Sequence, residues 1–301
     1  MWRYLLLGLV VLGCAIVDAD PAIDAVDSSG WTALQRAAMA GDTAQIAALL
    51  QRGANLEASS PKVYQGATPL VIALEFGQAE AAKLLLTRGA ATTGSVGRSA
   101  LELAARDGLD PIVDLLLARK VAVSGSRALH AAAKYGHATT IRRLVVAGAK
   151  VDDPRRDDHG FTPLIVACQD NRLAAAKQLL ASGANPNDRD SDGTTVLHWA
   201  VFAARPVEIH MYEDIGGPHT TRYEPQNDAA LVQLLIAKGA KLDATDRAGN
   251  TALHQAAMMD ARAAAAALIA AGAKRAVRNV SGKTALELAR DRNNSVVDVL
   301  E

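Results

Sequence analysis

Asp188, Asp190 and Asp192 alternate along the chain and run into Gly193, the spacing with which a calcium-binding loop begins. Alternate carboxylates on a tight turn face one cation, but such a loop is completed by a bidentate Glu at its twelfth position. Trp199 stands there, so the run reads as a polar turn rather than a calcium site. His130, His198 and His254 each follow a leucine of a recurring phrase, and that regular placement points to turn-holding hydrogen bonds rather than to a ligand set. His210, Glu213, Asp214 and His219 could approach one another and bind a metal if their segment doubled back; a polar protruding loop is the preferred reading. The two cysteines, Cys14 and Cys168, provide neither a disulfide framework nor zinc spacing. No His-Glu-x-x-His, Gly-x-Ser-x-Gly or Gly-x-x-x-x-Gly-Lys occurs. The expectation is a chain with no catalytic residues, no cofactor and no metal.

The elements that would position these residues come from a phrase that returns eight times, Gly-x-(Thr/Ser)-x-Leu-x-x-Ala. Its leucines are Leu34, Leu70, Leu101, Leu129, Leu164, Leu197, Leu253 and Leu286, at successive spacings of 36, 31, 28, 35, 33, 56 and 33 residues. The copy at Gly125-Ser126-Arg127-Ala128-Leu129 is loose, with Arg in the Thr/Ser place. A period near 33 means one supersecondary unit copied along the chain. In the copy at Gly249 to Ala257, Thr251 can cap the helix that follows, while Leu253, Ala256 and Ala257 form one narrow apolar face. In seven of the eight copies a second apolar helix follows, and a Leu-Leu-x-x-Gly-Ala phrase, or one close to it, recurs at Leu49-Leu50, Leu85-Leu86, Leu179-Leu180, Leu235-Ile236 and Leu268-Ile269, with a Gly that suits a left-handed stop. Each unit therefore reads as turn, helix, short loop, helix, turn. At the third unit Lys120-Val121 replaces the Gly-Ala stop, so an irregular junction is expected there.

Asp27-Ser28-Ser29-Gly30-Trp31-Thr32-Ala33-Leu34, Gly66-Ala67-Thr68-Pro69-Leu70 and the Leu-His pairs at 129–130, 197–198 and 253–254 resemble the turn-into-helix motif of the ankyrin repeat family. The resemblance runs from about Asp24 to Glu301. It implies an all-α solenoid of about eight helix-turn-helix units over residues 20–301. Gln35, Val71 and Ile165 depart from residues common in the family, without consequence for the fold. The 56-residue spacing exceeds 33 by 23 and places an insertion at 204–226, within the sixth unit. There Val207 to Tyr212 alternates apolar and polar residues as a strand does, Gly216-Gly217-Pro218 marks a turn, and His219 to Tyr223 could return as a partner strand, so the insertion reads as a protruding hairpin or an ordered loop.

The same resemblance implies that the turn tips and the exposed end of each first helix form a binding face. Carried over by position, the candidate partner contacts are Trp31, Tyr64, Phe76, Arg98, Arg106, Tyr135, His159, Phe161, Phe202 and Met258, with Met39, Glu75, Asp107, Lys134, Gln169, Asp170, Arg247 and Met259 beside them. The insertion adds Met211, Tyr212 and Tyr223. Aromatic residues make up only 4 % of the chain, and six of the nine beyond the N-terminal segment fall on these positions. Aromatics, Met and Arg are enriched at protein interfaces. With a formal net charge of +0, nothing points to nucleic acid.

Residues 1–19 stand apart from the repeats. Arg3 precedes the apolar run Leu5 to Leu12, which falls well short of the ~20 residues a spanning helix needs and reads as a secretion signal. Val11-Leu12-Gly13-Cys14 resembles a bacterial lipobox, which implies lipidation at Cys14 and, with Ala15 following, the outer membrane. Ordinary cleavage after Ala19 is the alternative. The functional expectation is a non-catalytic protein-binding module of the bacterial envelope, periplasmic and lipid-anchored, acting as an immunity protein or inhibitor that occludes a secreted toxin or an envelope hydrolase. A structural scaffold or stress-related adaptor for an envelope enzyme is the alternative.

Overall fold

The computed structural model describes residues 22–301 except 60, 61, 63, 65, 154–158, 206, 211–220 and 225–228, and describes the backbone alone at 207–210 and 221–224. The chain divides into two compact units, one ending at Ala91 and the other spanning Thr92–Glu301. Both are built from pairs of short antiparallel helices.

The first unit holds α1 (Ala33–Ala40), α2 (Thr43–Gln51), α3 (Pro69–Glu75) and α4 (Ala79–Thr87). Helix α1 packs on α2 and α3, and α4 packs on α3 and α2. Thr32 starts α1 with a capping box: its Oγ1 accepts from the Gln35 backbone N–H at 3.1 Å, and the Gln35 carboxamide oxygen accepts from the Thr32 N–H at 3.0 Å. Two orphan donors are satisfied reciprocally. The Gln35 Nε2 then donates to the Ala67 carbonyl at 2.8 Å, in the turn ahead of α3. Gln35 is fully buried. The departure at Gln35 is therefore not inconsequential, because this side chain joins one repeat to the next.

The second unit opens with α5 (Gly94–Arg106) and α6 (Asp110–Ala118), followed by α7 (Ala128–Tyr135), α8 (Ala138–Val146), α9 (Pro163–Gln169), α10 (Leu173–Ala181) and α11 (Val196–Ala203). Two strands follow, β1 (Val207–His210) and β2 (Thr221–Glu224), paired antiparallel with Val207 opposite Glu224 and His210 opposite Thr221. The array resumes with α12 (Ala230–Ala237), α13 (Ala252–Met259), α14 (Arg262–Ala270), α15 (Ala285–Asp291) and α16 (Val297–Leu300). First helices stack in the order α5, α7, α9, α11, α13, α15, and second helices in the order α6, α8, α10, α12, α14, α16. The last copy thus also carries a second helix, four residues long, where the sequence shows a second apolar run in seven copies. The two-stranded hairpin stands between the helices of the sixth repeat.

Small side chains let these helices approach closely. Leu101, Ala104, Ala105, Ala132, Ala133, Leu164, Ala167, Leu197, Ala256 and Ala257 are all buried, and the burial of such Leu/Ala faces holds each stack together. The histidine bridges run as expected. His130 Nε2 lies 3.1 Å from the Phe161 carbonyl, His198 Nε2 2.9 Å from the Asn250 carbonyl, and His254 Nε2 3.1 Å from the Lys283 carbonyl. At His254, Nδ1 accepts from the Thr251 N–H at 3.1 Å, so the ring is neutral and Nε2–H donates.

Two expectations about the third repeat need correction. Lys120 adopts φ +60°, and the Val121 N–H donates to the Leu116 carbonyl at 3.2 Å. Ala149 makes the same bond to Leu144 after Gly148. The helix stop is therefore regular, with a lysine held in the left-handed region that favours glycine. The irregularity lies in the connector, which is only 119–127 before α7 against 182–195 before α11. Secondly, the Gly97-Arg98-Ser99 phrase is not a turn. It lies inside α5, and Gly97 is required there because a Cβ would fall 1.9 Å from the Thr92 carbonyl oxygen.

Candidate protein-binding site

In the second unit the site is built on the C-terminal ends of α7, α9 and α11 and on the turns before α9 and α11. Phe161 precedes the Thr162 cap of α9, where Pro163 occupies the first helical turn. Its ring meets Trp199 edge-on, with centroids 5.3 Å apart at 74°, and Trp199 meets Phe202 at 5.7 Å and 79°. His159 stacks on the other side of Phe161 at 5.4 Å and 24°. The Arg205 guanidinium lies 3.8 Å from the Phe202 centroid. Edge-to-face rings and a stacked cation each add to the energy of simple burial. The result is a ladder, His159–Phe161–Trp199–Phe202–Arg205, crossing from one repeat to the next.

The ladder is fixed from beneath. Asp190 is buried, and its Oδ1 accepts the Asp192 and Thr194 N–H groups, each at 2.9 Å. Its Oδ2 accepts the Trp199 indole N–H at 3.0 Å. The carboxylate at the centre of the calcium-like run is therefore committed to its own turn and to Trp199. Among the described residues no group of three or more His, Cys, Asp or Glu could hold a metal ion. Of the candidate metal set, His210 is described only as backbone paired with Thr221, and Glu213, Asp214 and His219 lie outside the described residues.

Beside the ladder is a cleft of about 320 Å³ lined by Lys134, Val166, Gln169, Asp170, Phe202 and Arg205. Tyr135, next to Lys134, is 46 % exposed, with the Lys134 ammonium 5.9 Å from its ring centroid. Arg98 is exposed, but it lies in α5 rather than on a turn tip. Arg106 pairs with Asp107 at 2.9 Å, so these two charges neutralise each other. Met258 and Met259 are half-buried in the last turn of α13. Arg247 donates to the Ser191 carbonyl and pairs with Asp192 at 2.9 Å, tying neighbouring turns together.

The first unit carries its own aromatic group. Trp31 and Tyr64 meet at 6.0 Å and 65°, Tyr64 and Phe76 at 5.7 Å and 78°, and Arg36 lies 5.8 Å from the Trp31 centroid. Tyr64 and Phe76 are exposed. Arg36 also pairs with Asp27, and that hydrogen bond, with those from Trp31 and Ser29, holds the Asp27 carboxyl below the usual carboxylate range. Tyr223 is described as backbone in β2, opposite Glu208; Met211, Tyr212 and Cys14 lie outside the described residues.

Buried polar and thiol groups elsewhere have structural roles. Burial pushes the Cys168 thiol up to about 12, so this cysteine is a small, inert core residue in α9. Burial also lowers the basicity of His198 and His254, against hydrogen bonds to the Asn250 and Lys283 carbonyls that oppose it. Trp199 and Arg205 are absent from the residues that the sequence singles out for binding. The signal available is their spacing of three residues on either side of Phe202, which puts all three on one side of the end of α11.

A family model for ankyrin repeats in sets of three matches residues 5–94, 46–126, 101–190, 129–209 and 223–300. This chain belongs to the ankyrin repeat family. It is 30 % identical over 193 residues to a transient receptor potential cation channel subfamily A member 1 homolog of Caenorhabditis elegans, covering 62 % of this chain and 14 % of that protein. It is 29 % identical over 140 residues to the human subfamily A member 1 channel, covering 43 % and 12 %. The E3 ubiquitin-protein ligase KEG of Arabidopsis thaliana is 29 % identical over 305 residues, covering 92 % and 17 %. The chain thus spans less than a fifth of the length of each of these relatives. Ankyrin-repeat proteins are in general non-catalytic, and the chain is a protein–protein interaction module.

Proposed function

We propose that this protein is an exported ankyrin-repeat module of the bacterial envelope that binds one protein partner through the ends of its first helices. In this reading it occludes a secreted toxin or an envelope hydrolase, as an immunity protein does. The observation that carries the reading is the ladder from His159 to Arg205 beside the exposed Tyr135. In a chain this poor in aromatics, such grouping at repeat ends supports anchoring of a partner. The anchors are held by packing and by Asp190, so little ordering entropy is lost on binding. Export rests on the apolar run Leu5 to Leu12, and anchoring on a lipid at Cys14.

Affinity capture with the tagged chain from envelope extracts, followed by mass spectrometry, tests the reading. One dominant partner, lost in a Tyr135→Ala, Phe161→Ala variant, is expected, together with a toxic or hydrolytic activity of that partner that the chain suppresses. Several weak partners with no such activity would favour a scaffold instead. Capture unchanged in the variant removes the proposed surface.

A further inference from the structure

We infer that the cleft between α7, α9 and α11 receives a carboxylate side chain, an Asp or Glu on an extended segment of the partner, gripped between Lys134 and Arg205. The inference rests on the protein-binding reading and adds the chemistry of what is bound. The cleft has an apolar part, from buried Val166 and the Phe202 ring, and a polar part, from Lys134, Gln169, Asp170 and Arg205. Its volume of about 320 Å³ suits a side chain with its neighbouring backbone, at the lower end of the roughly 300–1,000 Å³ seen for ligand pockets.

The charge balance selects the sign of the occupant. The carbonyl ends of helices repel anions, but here two of those carbonyls are already covered: Arg172 Nε donates to Lys134 O at 2.9 Å, and Arg205 Nη1 donates to Phe202 O at 2.8 Å. Lys134 and Arg205 thus line the cleft against a single anion, Asp170. Among the described residues none of Lys134, Asp170 and Arg205 is engaged in an ion pair. The Arg205 guanidinium is held 3.8 Å over the Phe202 ring with one of its five N–H groups used, which leaves the others for a two-pronged grip on a carboxylate. Gln169 and Asp170 remain to meet backbone N–H and C=O groups of the same segment.

The test is selection of random peptides displayed on phage against the purified full chain. The wild type should enrich peptides with Asp or Glu at one fixed position, next to an apolar residue. For the best such peptide, affinity should fall about tenfold, which is one step of about 1.4 kcal/mol, on changing its acidic residue to the amide or on Arg205→Gln. The Lys134→Glu, Arg205→Glu variant should instead enrich Lys or Arg at that position. Thermal midpoints close to wild type in each variant would show that folding is retained. Enriched peptides with no acidic position, or an acidic peptide bound equally well by Arg205→Gln, overturn the inference. If those peptides lose affinity in Phe161→Ala, protein binding through the ladder still stands. If binding responds to none of Tyr135, Phe161, Lys134 and Arg205, both fall together.

Discussion

Trp199 donates its indole N–H to the buried Asp190 carboxylate at 3.0 Å, joining the turn before α11 to the aromatic ladder at its end. One carboxylate thereby sets both the shape of a turn and the position of a ladder ring. Asp190→Ala removes this bond and two turn bonds at once. It should cost about 2–3 kcal/mol, as expected for hydrogen bonds to a charged group, and should blue-shift or quench the tryptophan fluorescence differently from Trp31. A loss below about 0.5 kcal/mol would mean the bonds to Asp190 are readily replaced by water.

Leu164 is fully buried in α9. Leu164→Ala should cost roughly 2–5 kcal/mol. Contacts run only between neighbouring repeats, so hydrogen exchange should accelerate first in α7 to α11. Uniform acceleration through the second unit would show that it unfolds as one cooperative block.

Tyr135 is exposed, and its backbone is held by α7 rather than by its ring. Tyr135→Ala should change stability by no more than about 0.5 kcal/mol, while partner binding weakens clearly. Calorimetry of the variant decides it, since a large fall in the midpoint would make the ring part of the core.

How much is legible in the residues alone varies with the kind of interaction involved. Phrases such as Gly249-Asn250-Thr251-Ala252-Leu253 identify repeats because cap, apolar face and stop are local features, each readable within a few residues. The histidine bridges are legible for the same reason, through their fixed place in the phrase. Arg98 is misplaced because Gly-x-Ser at residues 97–99 mimics a cap, whereas α5 already begins at Gly94. Trp199 escapes notice because its role depends on Phe161 and Asp190, which stand in other elements. Gln35 is undervalued because an amide can make the bridge an imidazole makes, and the equivalence shows only when its partner, Ala67, is in place.

Acid should loosen the second unit. His198 and His254 are neutral in the fold with lowered basicity, whereas in the unfolded chain they titrate near 6.5. Below that value the unfolded state binds the extra protons, so their contribution is complete above about pH 6.5 and is lost as pH falls toward their folded values. His198→Gln, which copies the amide bridge of Gln35, should keep the joint and flatten the dependence of denaturation midpoint on pH between about 5 and 7. An unchanged slope would assign the acid sensitivity to other groups.

Cys168, buried and held near 12, should resist alkylation in the folded chain. Peptide mapping after iodoacetamide treatment should find it unmodified until denaturant is added. Rapid labelling under native conditions would mean α9 opens far more often than its packing suggests.

The bridges between repeats also bear on the order in which the chain can fold. Gln35 reaches Ala67, His130 reaches Phe161 and His254 reaches Lys283 across separations of 32, 31 and 29 residues. Each such joint can close once one further repeat has left the ribosome, so assembly can follow synthesis from one end. His198 must wait for Asn250, 52 residues on, because the hairpin segment intervenes. Closure entropy grows only logarithmically, and lengthening the loop from about 31 to 52 residues adds only about 0.5 kcal/mol. The insertion therefore lengthens the wait for one joint while scarcely weakening it, so the His198 bridge closes with the longest delay after its own repeat is made, and the His254 bridge to Lys283 follows it.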